Sequence, residues 1–282
     1  FEAGVLRAGP VIRTGTGRGT GTGRGLLLVS SRGMYALDVA SSFAASFARL
    51  GTGVMTEAPA RRPAEHLRLY EFEGCPFCRR VRDALTELDL EALILPCPKG
   101  GQFYRQEVLE RGGKAQFPYL EDPNEDLSLY ESDAILAHLY ATYGRRPVPL
   151  FRRTPLDTLS SALASAARPA GFRARASKRP DEPLHLWSFE ESPFCRLVRE
   201  RLCELELPYV LHNVGRGRWV DNVPLQLRRP LRWAPEPSTP SRRELERRAG
   251  RLQVPYLEDP NTGTTLLESR AIDAYLESTY AL

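Results

Sequence analysis

The decapeptide Leu69-Tyr70-Glu71-Phe72-Glu73-Gly74-Cys75-Pro76-Phe77-Cys78 returns later in the chain as Leu186-Trp187-Ser188-Phe189-Glu190-Glu191-Ser192-Pro193-Phe194-Cys195. Two further stretches return in the same order. Gln116-Phe117-Pro118-Tyr119-Leu120-Glu121-Asp122-Pro123-Asn124 matches Gln253-Val254-Pro255-Tyr256-Leu257-Glu258-Asp259-Pro260-Asn261, and Glu131-Ser132 matches Glu268-Ser269. Upstream of each copy, the run from Ser41-Ser42 to Arg49 aligns with that from Ser160-Ser161 to Arg168. A chain repeating its local signals in order must build the same unit twice. The unit reads as helix, linker and compact domain. This sets the boundaries: an extension over 1–66, a first domain over 67–144, a linker with a short helix over 145–183, and a second domain over 184–282. The second copy carries an insertion near 216–241 with Trp219, Trp233 and several prolines. A long insert of this kind is a binding loop or a disordered one.

Within the first unit, Leu67, Leu69 and Phe72 alternate with Arg68 and Glu71 as in a strand, and Val81, Leu85 and Leu88 recur at helical spacing. Ala92 to Leu95 reads as a short strand and Pro96 to Gly101 as a loop. A helix continues through about Arg111, ended by Gly112-Gly113. Gln116 to Asn124 gives a strand and a turn, and Leu127 to Tyr130 another strand. Glu131 through Tyr143 reads as a helix with Ala134, Ile135, Leu139 and Tyr143 inward. The order β-α-β-α-β-β-α is the thioredoxin topology. The expected fold class is therefore α/β, with two tandem thioredoxin-fold domains, each preceded by an amphipathic helix and a linker. In the first of those helices Tyr35, Val39, Phe43, Phe47 and Leu50 form the apolar stripe, and in the second Leu156, Leu159, Leu163 and Ala167. The first is read as packed on the first domain, or as lying on a membrane surface or a partner. Its polar face (Ser41, Ser42, Ser46) has only Arg49 as a cation, which argues against the membrane.

At 282 residues with 42% hydrophobic residues, the chain is long enough for two domains with real cores. A net charge of +4, with the arginines spread out, does not argue for nucleic acid. The longest purely aliphatic run, Leu26 to Val29, is too short to span a bilayer. Five cysteines with one CxxC fit a reducing compartment better than a disulfide scaffold. The chain opens at Phe1, which reads as a processed or truncated form. After Glu2 its first acid is Asp38, and the stretch between is rich in Arg, Ser, Thr, Gly and Ala, as in an organellar transit region or the segment just after one. The Gly-Thr-Arg tract at 13–25 lacks a Gly-Lys-Ser/Thr ending, so it reads as flexible backbone rather than a phosphate loop. If it is ordered, a partner complex is the expected agent.

The chemistry centres on Cys75 and Cys78. A CxxC at the passage from strand to helix is a thioredoxin-type redox motif. Cys75 would sit at the helix N-terminus, where free N–H groups and the helix dipole favour a thiolate, with Cys78 one turn on. Two other readings stay open. A zinc site needs four ligands, and Cys97, Cys195 and Cys203 supply no second CxxC. A purely structural disulfide is the other. In the second copy Ser192 replaces the first cysteine and only Cys195 remains, so no dithiol cycle can run there. Ser192 could donate to a bound thiolate, or the copy serves packing or partner binding. Pro118 and Pro255 are expected to be cis, exposing the backbone of Phe117 and Val254 to an extended thiol peptide. Glu131-Ser132 would sit at a helix N-terminus, as a cap or as a site for a carboxylate and an ammonium.

Cys-Pro-Phe-Cys, Gln-Phe-Pro-Tyr-Leu and Glu-Ser-x-x-Ile together resemble glutaredoxins and the N-terminal domain of glutathione S-transferases. The whole chain resembles the tandem glutaredoxin-like/transferase-N-domain proteins of plant and green-algal chloroplasts, over about 67–144 and 184–282. The resemblance implies glutathione as the bound thiol, with Cys75 as nucleophile and Cys78 as resolving thiol. Phe117 and Pro118 would hold its cysteinyl part, and Glu131 and Ser132 its γ-glutamyl end. In the second copy Ser192, Cys195, Val254, Pro255, Glu268 and Ser269 are the equivalents. No all-helical transferase domain comes after either copy, so conjugation of electrophiles is not expected, and no metal is. The resemblance implies two alternative functions. One is a glutathione-linked thiol–disulfide oxidoreductase of the chloroplast stroma, acting on protein disulfides. The other is a non-catalytic assembly or repair factor, peripheral on the thylakoid and docked on a photosystem-like membrane complex.

Overall fold

The computed structural model describes residues 31–48, 52–168, 170–223, 225–228, 230, 232–233 and 236–282. The tract at 13–25 and Leu50 lie outside them, as does the side chain of Phe47. Helix α1 (Ser31–Ala48) precedes the first domain, which runs β1 (Leu67–Glu71), α2 (Pro76–Glu87), β2 (Ala92–Pro96), α3 (Tyr104–Gly112), β3 (Tyr119–Asp122), β4 (Leu127–Tyr130) and α4 (Ser132–Thr142). After α5 (Pro155–Ala167) come β5 (Leu184–Ser188), α6 (Pro193–Glu204), β6 (Tyr209–Asn213), α7 (Leu225–Arg228), α8 (Pro240–Ala249), β7 (Tyr256–Asp259), β8 (Thr264–Leu267) and α9 (Ser269–Tyr280). Setting aside the short α7 in the insertion, both copies adopt the expected thioredoxin order.

The local signals explain the elements. Pro76 and Pro193 open α2 and α6, where a missing N–H leaves nothing unpaired. Val81, Leu85 and Leu88 bury fully or nearly so, each gaining roughly 1.5–3 kcal/mol from burial. Gly113 and Gly250 stop α3 and α8 in the left-handed conformation. In the last helix of the first copy, Ile135, Leu139 and Tyr143 face the core as expected, but Ala134 is exposed, and Leu136 and Tyr140 take the inner positions. The helix turns about its axis to bring the larger side chains inward.

The two domains share one sheet of eight strands, ordered β4-β3-β1-β2-β6-β5-β7-β8. The join is antiparallel pairing of the two inner edge strands, with Leu93 opposite Val210, Ala92 opposite Leu211 and Ile94 opposite Tyr209. Each copy thereby covers an edge that would otherwise be left unpaired. On the α2/α4/α6/α9 face a single apolar core crosses this join, whereas α3 and α8 cover separate clusters on the other.

The extra helices are exchanged. α1, which precedes the first domain, packs on α6 of the second and on α5. Its Ser42 Oγ donates to the Pro193 carbonyl at 2.8 Å. α5, which precedes the second domain, packs on α2 of the first, with Ser161 Oγ donating to the Pro76 carbonyl at 2.6 Å. This corrects the expectation that α1 packs on the first domain. It also corrects which face is inner. Leu156, Leu159 and Leu163 are more than half exposed, as is Leu37, while Asp157, Ser161 and Ala164 are fully buried. Small side chains let the paired helices approach one another and α2 closely, which the leucines would prevent.

The linkers cross between copies in the same symmetric way. Thr56 N donates to the Arg216 carbonyl at 2.9 Å, and Lys99 N to the Phe172 carbonyl at 2.7 Å. Gly53 and Gly171, both at φ near +70°, fit against Asp83 and Glu73 where no side chain has room.

Candidate active site

In the first domain Cys75 caps α2, with extended backbone (φ −79°, ψ 123°), and its sulfur accepts the Cys78 backbone N–H at 3.3 Å. The Cys78 thiol donates to the same sulfur. That bond outweighs burial and holds the Cys75 thiol below its ordinary pKa, helped by the Cys78 and Phe77 backbone N–H groups. Burial pushes Cys78 well above its ordinary value. A thiolate-prone cysteine at the helix end and a protonated partner one turn on are what dithiol exchange requires. Both thiols are free, and Cys75 is only 3% exposed. The connector after α5 closes the site: Ala170 and Phe172 lie against Gly74, and the Phe172 ring stands edge-on to Phe72 at 5.4 Å.

The Phe117–Pro118 and Val254–Pro255 bonds are both cis. Phe117 sits 6.2 Å from the Phe72 ring, with the Arg105 guanidinium over its face at 4.7 Å. Glu131, at φ 66°, precedes α4 and is exposed, and its carboxylate takes the Gln116 side-chain amide. Ser132 is buried, and its hydroxyl accepts from Arg80 Nη1 at 2.9 Å. Arg80 is itself gripped by Asp157 of α5 at 2.7 Å. The pair expected to hold a γ-glutamyl group lies at the start of α4, with its serine engaged through the exchanged helix.

The second copy keeps the cap geometry with a hydroxyl in place of the capping thiol. Ser192 caps α6, and its hydroxyl accepts the Cys195 N–H at 3.3 Å. Burial raises the Cys195 thiol, against the pull of the Ser192 hydroxyl and Arg199. Glu268 is exposed at φ 74°, and Ser269 is hydrogen-bonded to Tyr35 of α1 at 2.7 Å. Val254 lines a cavity bounded by the insertion. Cys97 and Cys203 are buried apart from the CxxC pair, their thiols donating to the Leu95 and Gly171 carbonyls. Among the described residues no group of three or more His, Cys, Asp or Glu could hold a metal ion.

The residues that sequence reasoning missed lie between the sites. Arg82 grips Glu190 across the domain junction at 2.9 Å, and Arg199 grips Glu73 at 3.1 Å in the reverse direction. All four are buried. Burial alone would raise the Glu190 carboxyl, but Arg199 and Arg82 outweigh it and hold it at about 2. The repeat contained the signal, since Arg82 and Arg199 occupy matching positions on matching helices.

A model of the glutathione S-transferase N-terminal domain matches residues 69–147 and 186–282, more than half of the chain. Among solved structures, a glutathione transferase of Bombyx mori is similar at 27% identity over 30% of this chain, with a TM-score of 0.26. The chain spans 39% of that protein's length. No curated protein matches the chain. The chain belongs to the family built on the glutathione S-transferase N-terminal domain and carries that domain twice.

Proposed function

We propose that the chain is a glutathione-linked thiol–disulfide oxidoreductase working at Cys75 and Cys78. The observation that carries this is the Cys75 sulfur at the start of α2, held below its ordinary pKa by the Cys78 thiol and the helix N–H groups. The Cys75 thiolate attacks one sulfur of a substrate disulfide. That S–S bond breaks, the leaving sulfur takes a proton, and Cys75 is left in a mixed disulfide. Cys78 then loses its proton and attacks the Cys75 sulfur, releasing the second substrate thiol and forming the Cys75–Cys78 disulfide. Two molecules of glutathione return the pair to the dithiol and leave as glutathione disulfide. Phe117 and Pro118 receive the cysteinyl backbone of glutathione and Glu131 its ammonium, while Ser132 shares its hydroxyl with Arg80. Because Cys75 is 3% exposed, the Ala170–Phe172 connector lifts before each turnover. The transit-like N-terminal composition supports a stromal location in the chloroplast.

A second reading is favoured by the same burial and by the exposed leucines of α5. In it the domains are a scaffold, docked as an assembly or repair factor on a thylakoid photosystem complex. One experiment separates the two. The full chain is equilibrated across a glutathione redox series, with Cys75→Ser alongside, and read by mass spectrometry. A reversible Cys75–Cys78 disulfide or Cys75–glutathione adduct, absent from the variant, is the expected result. Cysteines that stay reduced throughout the series leave the scaffold.

A further inference from the structure

The insertion between β6 and α8 brings tryptophan to the surface. Of the chain's three tryptophans Trp187 is buried, whereas Trp219 is 69% exposed and Trp233 41%. The two surface rings meet edge to face at 5.5 Å, inclined at 61°. Leu227 of α7 is 62% exposed, and the last residue of that helix, Arg228, accepts the Trp233 N–H on its carbonyl at 3.1 Å, which ties α7 to the ring pair. Large apolar side chains gathered in water mark a contact surface. The first domain has no counterpart: its loop from β2 to α3, over 97–103, contains no tryptophan.

The exposed charge beside the rings has one sign. Arg218 and Arg232 are both exposed there. Over 216–235 the one acid is Asp221. It is buried and held by Arg228 at 3.2 Å, so it brings no negative charge to the surface. Arg218 comes only within 3.9 Å of it and donates instead to the neutral Glu236 carbonyl at 2.7 Å. Indole suits the boundary between lipid headgroups and acyl chains, with an apolar ring and one polar N–H, and a guanidinium suits lipid phosphate. Single-stranded nucleic acid also takes aromatic and cationic side chains, but it stacks bases on open ring faces. These two rings are turned onto each other. A peptide groove is concave, whereas Trp219 and Leu227 stand out from the surface.

We propose that Trp219, Leu227 and Trp233 dock the chain on an anionic lipid bilayer, entering the headgroup boundary while Arg218 and Arg232 meet lipid phosphates. The contact is peripheral, since no helix among the described residues is long and apolar enough to cross a membrane. It lies on the insertion of the second copy rather than on α1. It depends neither on Cys75 chemistry nor on a protein complex as the partner.

The test is co-sedimentation of the full chain with vesicles of phosphatidylcholine alone and of phosphatidylcholine with phosphatidylglycerol, with brominated acyl chains as a depth probe. Trp187 is 2% exposed, so quenching by bromine reads Trp219 and Trp233. Binding to the anionic vesicles with quenching is expected, weaker at high salt. It falls about tenfold or more in the double variant Trp219→Ser/Trp233→Ser and about fivefold in Arg232→Gln, the effect of one cation near an anionic surface. Cys75→Ser binds as the parent does. The substituted surface side chains are exposed, so these variants keep the fold. Four outcomes overturn the proposal: no sedimentation with anionic vesicles, equal binding to the neutral ones, tighter binding to a single-stranded oligonucleotide than to vesicles, or binding that survives loss of the tryptophan pair and disappears in Leu159→Ser, which would put the contact on α5.

Discussion

At the scale of single residues, one atom separates the two helix caps. Cys75 and Ser192 cap equivalent helices with the same backbone and accept the same N–H at the same 3.3 Å, so the fold accepts either. Only sulfur brings thiolate chemistry. A second residue departs from its counterpart more quietly: Gly74 becomes Glu191, a buried carboxyl. Burial, then the nearby Asp83, raises it to about 8, while Arg196 partly offsets this. Linkage sets the sign. The folded state keeps the proton that the unfolded chain releases above about pH 4.5, so stability is full below that pH and falls as the pH rises toward 8. Glu191→Gln is therefore expected to stabilise the chain at pH 8 and much less at pH 5, by on the order of 1 kcal/mol per pH unit across the window. Urea unfolding at the two pH values checks it, and an equal effect at both would contradict the assignment.

At the scale of elements, α1 and α5 show that an apolar stripe does not by itself say which side is inner. The leucines of α5 repeat at helical spacing and would be assigned to a core. The structure turns them outward, because a helix–helix seam against α1 and α2 needs small residues. Leu159→Ser is then expected to change stability by no more than about 0.5 kcal/mol, as for an exposed position. Ser161→Leu, at a fully buried seam, is expected to cost roughly 1–3 kcal/mol by overpacking. Denaturant midpoints of the two variants give the order directly; a reversed order would mean the leucine face is packed in solution.

At the scale of the whole molecule, the junction makes two domains into one cooperative body. β2 and β6 pair, one apolar core crosses between them, and the buried pairs Arg82–Glu190 and Arg199–Glu73 run in opposite directions across it. Removing one partner of such a pair strands the other in a place water cannot reach. Arg199→Ala is expected to cost roughly 3–5 kcal/mol, and Arg175→Ala, which breaks an exposed pair with Glu277, no more than about 1 kcal/mol. Chemical unfolding of both variants tests this, and a single transition in the parent chain is the companion expectation. Two separated transitions would show the domains melting independently.

The sequence by itself determined the unit and its duplication. Strand alternation, Pro at the first helical turn, the paired X-Pro motifs and the Gly stops are local signals, and local signals need only a neighbour or two to act. The candidate residues Cys75, Cys78, Phe117, Pro118, Glu131 and Ser132 were legible for the same reason. What only the tertiary structure decided was everything that depends on how the copies meet. The exchange of α1 and α5, the engagement of Ser132 by Arg80 and of Ser269 by Tyr35, the connector over Cys75 and the buried pairs Arg82–Glu190 and Arg199–Glu73 all join residues far apart in the chain. No periodicity records such contacts, because they arise from the pairing of two edge strands and the crossing of two linkers.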